Sequence, residues 1–186
     1  MTRKALIVVD YSYDFIADDG RLTCGKPGQD IESFILKRLE TYQSEGHDIF
    51  FMMDLHYEND MFHPETQLFP PHNIEGTAGR ELYGKIKAFY NNFSGNSNIH
   101  YLNKRRYDSF YGTPLDSLLK ERNIKDIEIV GVCTDICILH TAVSAYNLGY
   151  NITIPKDGVA SFNESGHKWA LGHFVNSLGA EVDVAK

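Results

Sequence analysis

Six short apolar runs, rich in β-branched and aromatic residues, recur along the chain as KALIVVD, DIFFMMD, NIHYLNK, DIEIVGV, YNITIPK and AEVDV. Each has strand length and is bounded by polar or turn-forming residues. Between them, apolar residues return at helical spacing over 30–45, around 80–89, and over 113–122, 134–148 and 163–178. Gly46, Gly149 and Gly179 stand just past three of these segments, where a left-handed residue ends a helix. Thr113 and Pro114 provide an N-cap and a first helical residue for another. Repeated alternation of strand and helix predicts an α/β fold: a three-layer α/β/α sandwich around a central, mainly parallel six-stranded sheet. Two stretches, 18–29 and 54–77, follow neither period.

Length and composition narrow the picture. The 186 residues, 42% of them hydrophobic, fit one domain over 1–186 with a substantial core. A net charge of −7 disfavours nucleic acid and anionic membranes as partners. The early run ALIVV is cut short by Asp10, so it is too brief for a signal segment or a membrane span, and a cytoplasmic location is expected. Three cysteines, Cys24, Cys133 and Cys137, without a CxxC spacing fit reduced thiols.

In open parallel sheets, sites form beyond the carboxyl ends of the strands. Asp10 ends the first predicted strand, Asp54 the second and Lys104 the third, while the fourth leads into a helix with Cys137 in its first turn. Taken singly, each has a commonplace reading: a turn residue, a solvated base in NKRRYD, a small buried hydrophobe. Together they supply a carboxylate for proton transfer, a cation and a sulfur nucleophile, the groups that covalent amide hydrolysis needs. A thiol in the first turn of a helix also faces unpaired N–H groups and the positive end of the helix dipole. Asp135, in the same turn, is expected to stabilise the helix N-terminus.

The stretch DLHYENDMFHPETQLFPPH, residues 54–72, holds three histidines and four acidic residues. In an extended segment Asp54 and His56 point the same way and form a two-ligand bite. His63, Glu65 and His72 return on the loop, and carboxylate with imidazole suits a divalent transition metal.

With these pieces in order, the chain resembles the nicotinamidases of the isochorismatase-like cysteine hydrolase family over nearly its whole length. The resemblance rests on ALIVVDYSYDF, DLHYENDMFHPETQLFPPHNIEGTAGRELYG, KRRYDSFYGTPLDSLL and IVGVCTDICILHTAVSAYNLGY. It implies a triad of Asp10, Lys104 and Cys137, with Asp54, His56 and His72 as metal ligands and Glu65 as a fourth, bound directly or through water. The expected ion is zinc, with manganese or iron as alternatives. His63 is then left over, as a structural or rim residue. The resemblance further implies a cis peptide before Cys133, an oxyanion hole from the N–H groups of Cys133 and Cys137, and ring-binding positions at Phe15, Phe69 and Tyr107.

The implied reaction is hydrolysis of nicotinamide to nicotinate and ammonia through a thioester, feeding NAD salvage, with pyrazinamide as a second substrate. The metal would anchor the pyridine nitrogen, and a homo-oligomer is expected. Ser12 stands where many relatives carry Gln, and YDSF replaces their YSAF or YSGF, which bears on substrate preference rather than on the triad. The competing readings are a related hydrolase of another small amide, ureide or vinyl ether and, further off, a metal-binding or thiol-redox protein without turnover.

Overall fold

A computed structural model of the chain describes residues 2–183. Its strands are β1 (Lys4–Val9), β2 (Asp48–Asp54), β3 (Ile99–Lys104), β4 (Asp126–Val132), β5 (Asn151–Thr153) and β6 (Val159–Ala160). They form one sheet in the order β3-β2-β1-β4-β5, with β6 also paired to β4, and every pairing is parallel. The helices are α1 (Tyr13–Ile16), α2 (Lys26–Asp30), α3 (Glu32–Ser44), α4 (Gly84–Phe93), α5 (Leu115–Glu121), α6 (Leu139–Asn147) and α7 (Glu164–Leu178).

The period-two alternation of β1 sorts the layers. Ala5, Ile7 and Val9 pack with Leu115, Leu119, Ala142, Ala145 and Phe174, so α5, α6 and α7 cover that face. Leu6 and Val8 point the other way and pack with Ile35, Leu39, Ile86 and Phe89 of α3 and α4. Because β1 and β2 lie between two helical layers, their side chains are buried on both faces, as continuous apolar runs require. Burial of each such Leu, Ile or Val contributes about 1.5–3 kcal/mol. Gly131 lets β4 approach β1: its φ is +120°, and a Cβ there would lie 2.0 Å from the carbonyl oxygen of Val9. No helix among the described residues is long and apolar enough to cross a membrane.

The sequence pattern and the structure differ at element ends. The sixth strand is β6, not AEVDV; the latter contributes one bridge, Glu181 to Thr153, and its Val184 lies outside the described residues. Two paired residues are too few for β6 to show a period. YNITIPK pairs only over Asn151–Thr153, because Pro155 has no N–H to continue the ladder. The segment expected near 80–89 becomes a 3-10 turn at Ala78–Arg80 followed by α4. Between them the chain is tied to the end of β1 through the Ser12–Leu82 bridge and the Tyr83 N–H to Tyr11 oxygen bond, which delays the helix. The segment expected over 30–45 is α3, Glu32–Ser44, and the short helix α2 precedes it, mostly within the 18–29 stretch that shows no period. The helix expected over 134–148 opens with a π-helical turn, Thr134–Ile138, before α6. Pro114 rather than Thr113 caps α5, although the Thr113 hydroxyl accepts from Leu115 N–H at 3.3 Å.

Candidate active site

Strand register brings the chemistry together. Asp54 and Lys104 are direct partners at the ends of β2 and β3, and Val9, just before Asp10, lies beside both Met52 and Gly131. Asp10 turns out of β1 with a left-handed φ of 55°, uncommon for a residue bearing a side chain. Its Oδ1 accepts from the Asp54 N–H at 2.8 Å. Lys104 Nζ lies 2.7 Å from Asp10 Oδ2, 3.9 Å from Asp54 Oδ1 and 3.7 Å from Cys137 Sγ, and donates to the Arg106 carbonyl at 3.0 Å.

Burial dominates the electrostatics of this trio. It pushes the Asp10 carboxyl up to about 6 against the pull of the Lys104 charge. It also pushes the Cys137 thiol up, opposed by Lys104 and assisted by Asp10. For Lys104, burial acts to lower the pKa, but the charges of Asp10, Cys137 and Asp54 outweigh it and the ammonium is held charged.

The turn that carries Cys137 begins at Cys133, after a cis Val132–Cys133 peptide. It is fixed from outside: Thr134 Oγ1 and His167 Nδ1 of α7 are 2.8 Å apart. Asp135 does not cap its own turn. Its carboxylate accepts from Ser161 Oγ at 2.6 Å and Asn163 Nδ2 at 3.3 Å, binding the turn to the segment entering α7. The sequence could not show this, because those partners lie more than two turns away.

Beside the trio, Asp54, His56, Glu65 and His72 are all buried, with one ligand atom from each lying within 4.8 Å of every other. His56 Nε2 is 2.7 Å from Asp54 Oδ2, and His72 Nε2 is 3.5 Å from Asp54 Oδ2 and 3.6 Å from Glu65 Oε2. His72 donates Nδ1–H to the Pro70 carbonyl at 2.8 Å, which turns the Nε2 lone pair toward the carboxylates. Asp54 Oδ1 and His72 Nε2 have no hydrogen-bond partner although both are buried. Burial would raise the Asp54 pKa, yet Lys104, His56 and His72 hold it well below the usual carboxylate range. Burial would lower that of His72, yet the neighbouring carboxylates of Asp54 and Glu65 push it up to about 10. The cluster therefore stabilises positive charge. With two carboxylates, two imidazoles and orphaned buried donor atoms, it fits a divalent transition metal.

A narrow cavity, partly open to solvent, joins the two groups. Asp54, Glu65 and His72 border it on one side and Cys133 and Cys137 on the other, with Phe15, Leu22, Phe69, Tyr107, Ile136 and Phe162 completing its wall.

Residues 4–185 match the isochorismatase domain. The chain belongs to the isochorismatase family. Within it, the chain is 51% identical over 180 residues to the isochorismatase family protein PncA of Bacillus subtilis (strain 168), covering 97% of this chain and 98% of that one. A solved nicotinamidase/pyrazinamidase PncA from Bacillus subtilis superposes with a TM-score of 0.96 at 49% identity, covering 98% of this chain and all of the other. The nicotinamidase SaPncA from Staphylococcus aureus superposes with a TM-score of 0.87 at 59% identity, covering 99% and 100%.

In this isochorismatase-family chain every residue singled out at the sheet edge lies at the cavity or against a residue that lines it. His63 is buried but its nitrogens are engaged elsewhere, by the Arg105 carbonyl and the Glu65 N–H. Cys24 and Cys133 lie in the same buried apolar cluster, and all three cysteines are free. Leu22, Ile136 and Phe162 were not legible as cavity residues. Leu22 sits in the aperiodic 18–29 stretch, which was the only signal available for it. Phe162 follows the two-residue strand β6, whose placement the pattern did not reveal.

Proposed function

We propose that this chain is a nicotinamidase that hydrolyses the carboxamide of nicotinamide to nicotinate and ammonia. The observation that carries the reading is one small cavity lined by Cys137 together with Asp54, Glu65 and His72 of the four-residue cluster, with the Asp10–Lys104 pair beside the thiol. The names of the relatives supply the substrate class.

Asp10 takes the proton of the Cys137 thiol, and Sγ attacks the carboxamide carbon. The carbonyl oxygen becomes an alkoxide received by the backbone N–H groups of Cys133 and Cys137. Collapse of the adduct breaks the C–N bond, Asp10 gives its proton to the departing nitrogen, and ammonia leaves a thioester on Sγ. Asp10 then deprotonates a water molecule that attacks the thioester carbon; nicotinate departs and the thiol is restored. Lys104 keeps Asp10 and the thiolate charged and aligned through both halves. Phe15, Phe69 and Tyr107 pack on the aromatic ring.

Asp54, His56, Glu65 and His72 would hold a divalent ion, with zinc first and manganese or iron as alternatives. When bound, such an ion supplies a Lewis-acid anchor for the ring nitrogen lone pair. We further propose a place in NAD salvage, turnover of pyrazinamide, a cytoplasmic location and a homo-oligomeric state. Ammonia release from nicotinamide, pyrazinamide and benzamide by the purified protein tests the reading. Nicotinamide and pyrazinamide are expected to react and benzamide, which has no ring nitrogen, to react poorly; failure of nicotinamide to release ammonia from metal-loaded protein contradicts it.

A further inference from the structure

We infer that His63 is a positioning residue that holds two of the four cluster residues in ligating geometry and ties their loop to the strand carrying Lys104. The inference rests on the metal-binding reading of the cluster. His63 immediately precedes the 3-10 turn Pro64–Gln67, which contains Glu65, and is only 3% exposed.

Its two ring nitrogens have opposite and complementary partners. Nδ1 accepts from the backbone N–H of Glu65 at 3.3 Å, so it carries a lone pair. Nε2 lies 2.7 Å from the carbonyl oxygen of Arg105, which can only accept, so Nε2 carries the proton. One neutral tautomer satisfies both bonds, and it leaves neither nitrogen free to bind a metal. That assignment removes His63 from the ligand set although its ring centroid is only 4.4 Å from that of His56.

Each contact has a distinct consequence. The Glu65 bond fixes the start of the short turn that aims the Glu65 carboxylate at His56 and His72. The Arg105 bond fastens that turn to the residue next to Lys104, so the loop cannot drift from the end of β3. The edge-to-face contact with His56, at an interplanar angle of 71°, restricts the rotation of a second ligand ring. Partners of this kind behind the ligands typically change metal affinity about 10- to 100-fold when removed.

The test uses the full chain, stripped of metal and titrated with Zn(II) in competition with a chromophoric chelator, then saturated with Co(II) for its visible spectrum. His63→Phe keeps the ring and loses both hydrogen bonds, and should weaken Zn(II) binding about 10- to 100-fold. His63→Asn keeps an acceptor for the Glu65 N–H but is too short for the Arg105 carbonyl, and should recover part of the loss. Because much of the effect passes through Glu65, adding His63→Phe to Glu65→Ala should cost far less than it does alone. At Co(II) saturation the His63→Asn bands should match those of the unaltered protein, since no ligand is lost. Unchanged Zn(II) affinity in His63→Phe, or a Co(II) spectrum of His63→Asn showing one fewer imidazole, overturns the inference. If His63→Phe fails to fold, the His63→Asn affinity and spectrum decide alone. Failure of the unaltered protein to bind Zn(II) at all overturns the metal reading itself and this inference with it.

Discussion

Lys104 Nζ and Asp10 Oδ2 lie 2.7 Å apart with both side chains fully buried. The pair costs desolvation at two charges and regains it only through mutual attraction, so it stands as evidence of function more than of stability. Lys104 Nζ also lies 3.7 Å from Cys137 Sγ, so the pair sets a carboxylate and a cation beside one thiol.

Removing one partner should therefore hurt more than removing both. Lys104→Met leaves Asp10 buried beside the Asp54 carboxylate and should destabilise the chain by about 3–5 kcal/mol. The double variant Asp10→Asn, Lys104→Met should be more stable than Lys104→Met alone, as measured by urea unfolding, while remaining inactive. Additive losses would mean the two charges do not depend on one another.

Acid should stop the enzyme before it unfolds it. The Asp10 carboxyl, pushed up to about 6 mainly by burial, loses its role as base as pH falls through that value, so kcat/KM should fall about tenfold per unit below it. The same shift has the opposite sign for stability. A pKa raised on folding contributes stability that is fully present below the unfolded value of 3.8 and is lost as pH rises through about 6. Protonating Asp10 between those values thus adds to stability while it removes activity. A rate profile with no inflection near pH 6 in cooperatively folded protein would contradict the assignment of Asp10 as base.

The sheet and its edge were legible because they obey short-range rules. DIFFMMD and DIEIVGV occupy β2 and β4 over their full lengths; the first is the continuous apolar run between polar ends that a doubly covered strand requires, and the second buries its one charged interior residue, Glu128, against Arg38. Asp10, Asp54 and Lys104 stood at strand ends, and the α/β alternation was enough to gather them. What escaped depends on partners distant in sequence. β6 is a two-residue strand defined only by β4, and the turn around Cys137 takes its π form while pinned by His167, Ser161 and Asn163. The aperiodic loop announced its candidate ligands by residue type and the family resemblance left His63 over, while the reason, that both nitrogens of His63 are engaged, became visible only in the structure.

Gly131 should be intolerant of the smallest side chain. Gly131→Ala would place a Cβ 2.0 Å from the Val9 carbonyl oxygen at a φ of +120°, forcing apart the strands that present Asp10 and Cys137. The expected loss is more than about 3 kcal/mol, read by thermal or urea unfolding. Gly95→Ala, with no atom within 4 Å of the added carbon, is the control and should be close to neutral.

Chelation should act on substrate capture more than on the thiol. Stripped protein and His56→Ala are expected to lose most kcat/KM for nicotinamide while Cys137 still reacts with a small alkylating agent. Under the same treatment the already poor rate with benzamide should change little, because benzamide has no ring nitrogen to be anchored. Unaltered nicotinamide turnover after stripping would remove the cluster from the account.

Cys137 as the nucleophile of amide hydrolysis is the central claim, and ammonia release from nicotinamide by the unaltered protein and by Cys137→Ala, side by side, tests it most directly. The substitution removes one sulfur at a buried position and should leave the fold and the metal content nearly unchanged. The predicted result is ammonia and nicotinate in equal amounts from the unaltered protein and none from the variant. Ammonia release by folded Cys137→Ala at more than a few per cent of the original rate would contradict it.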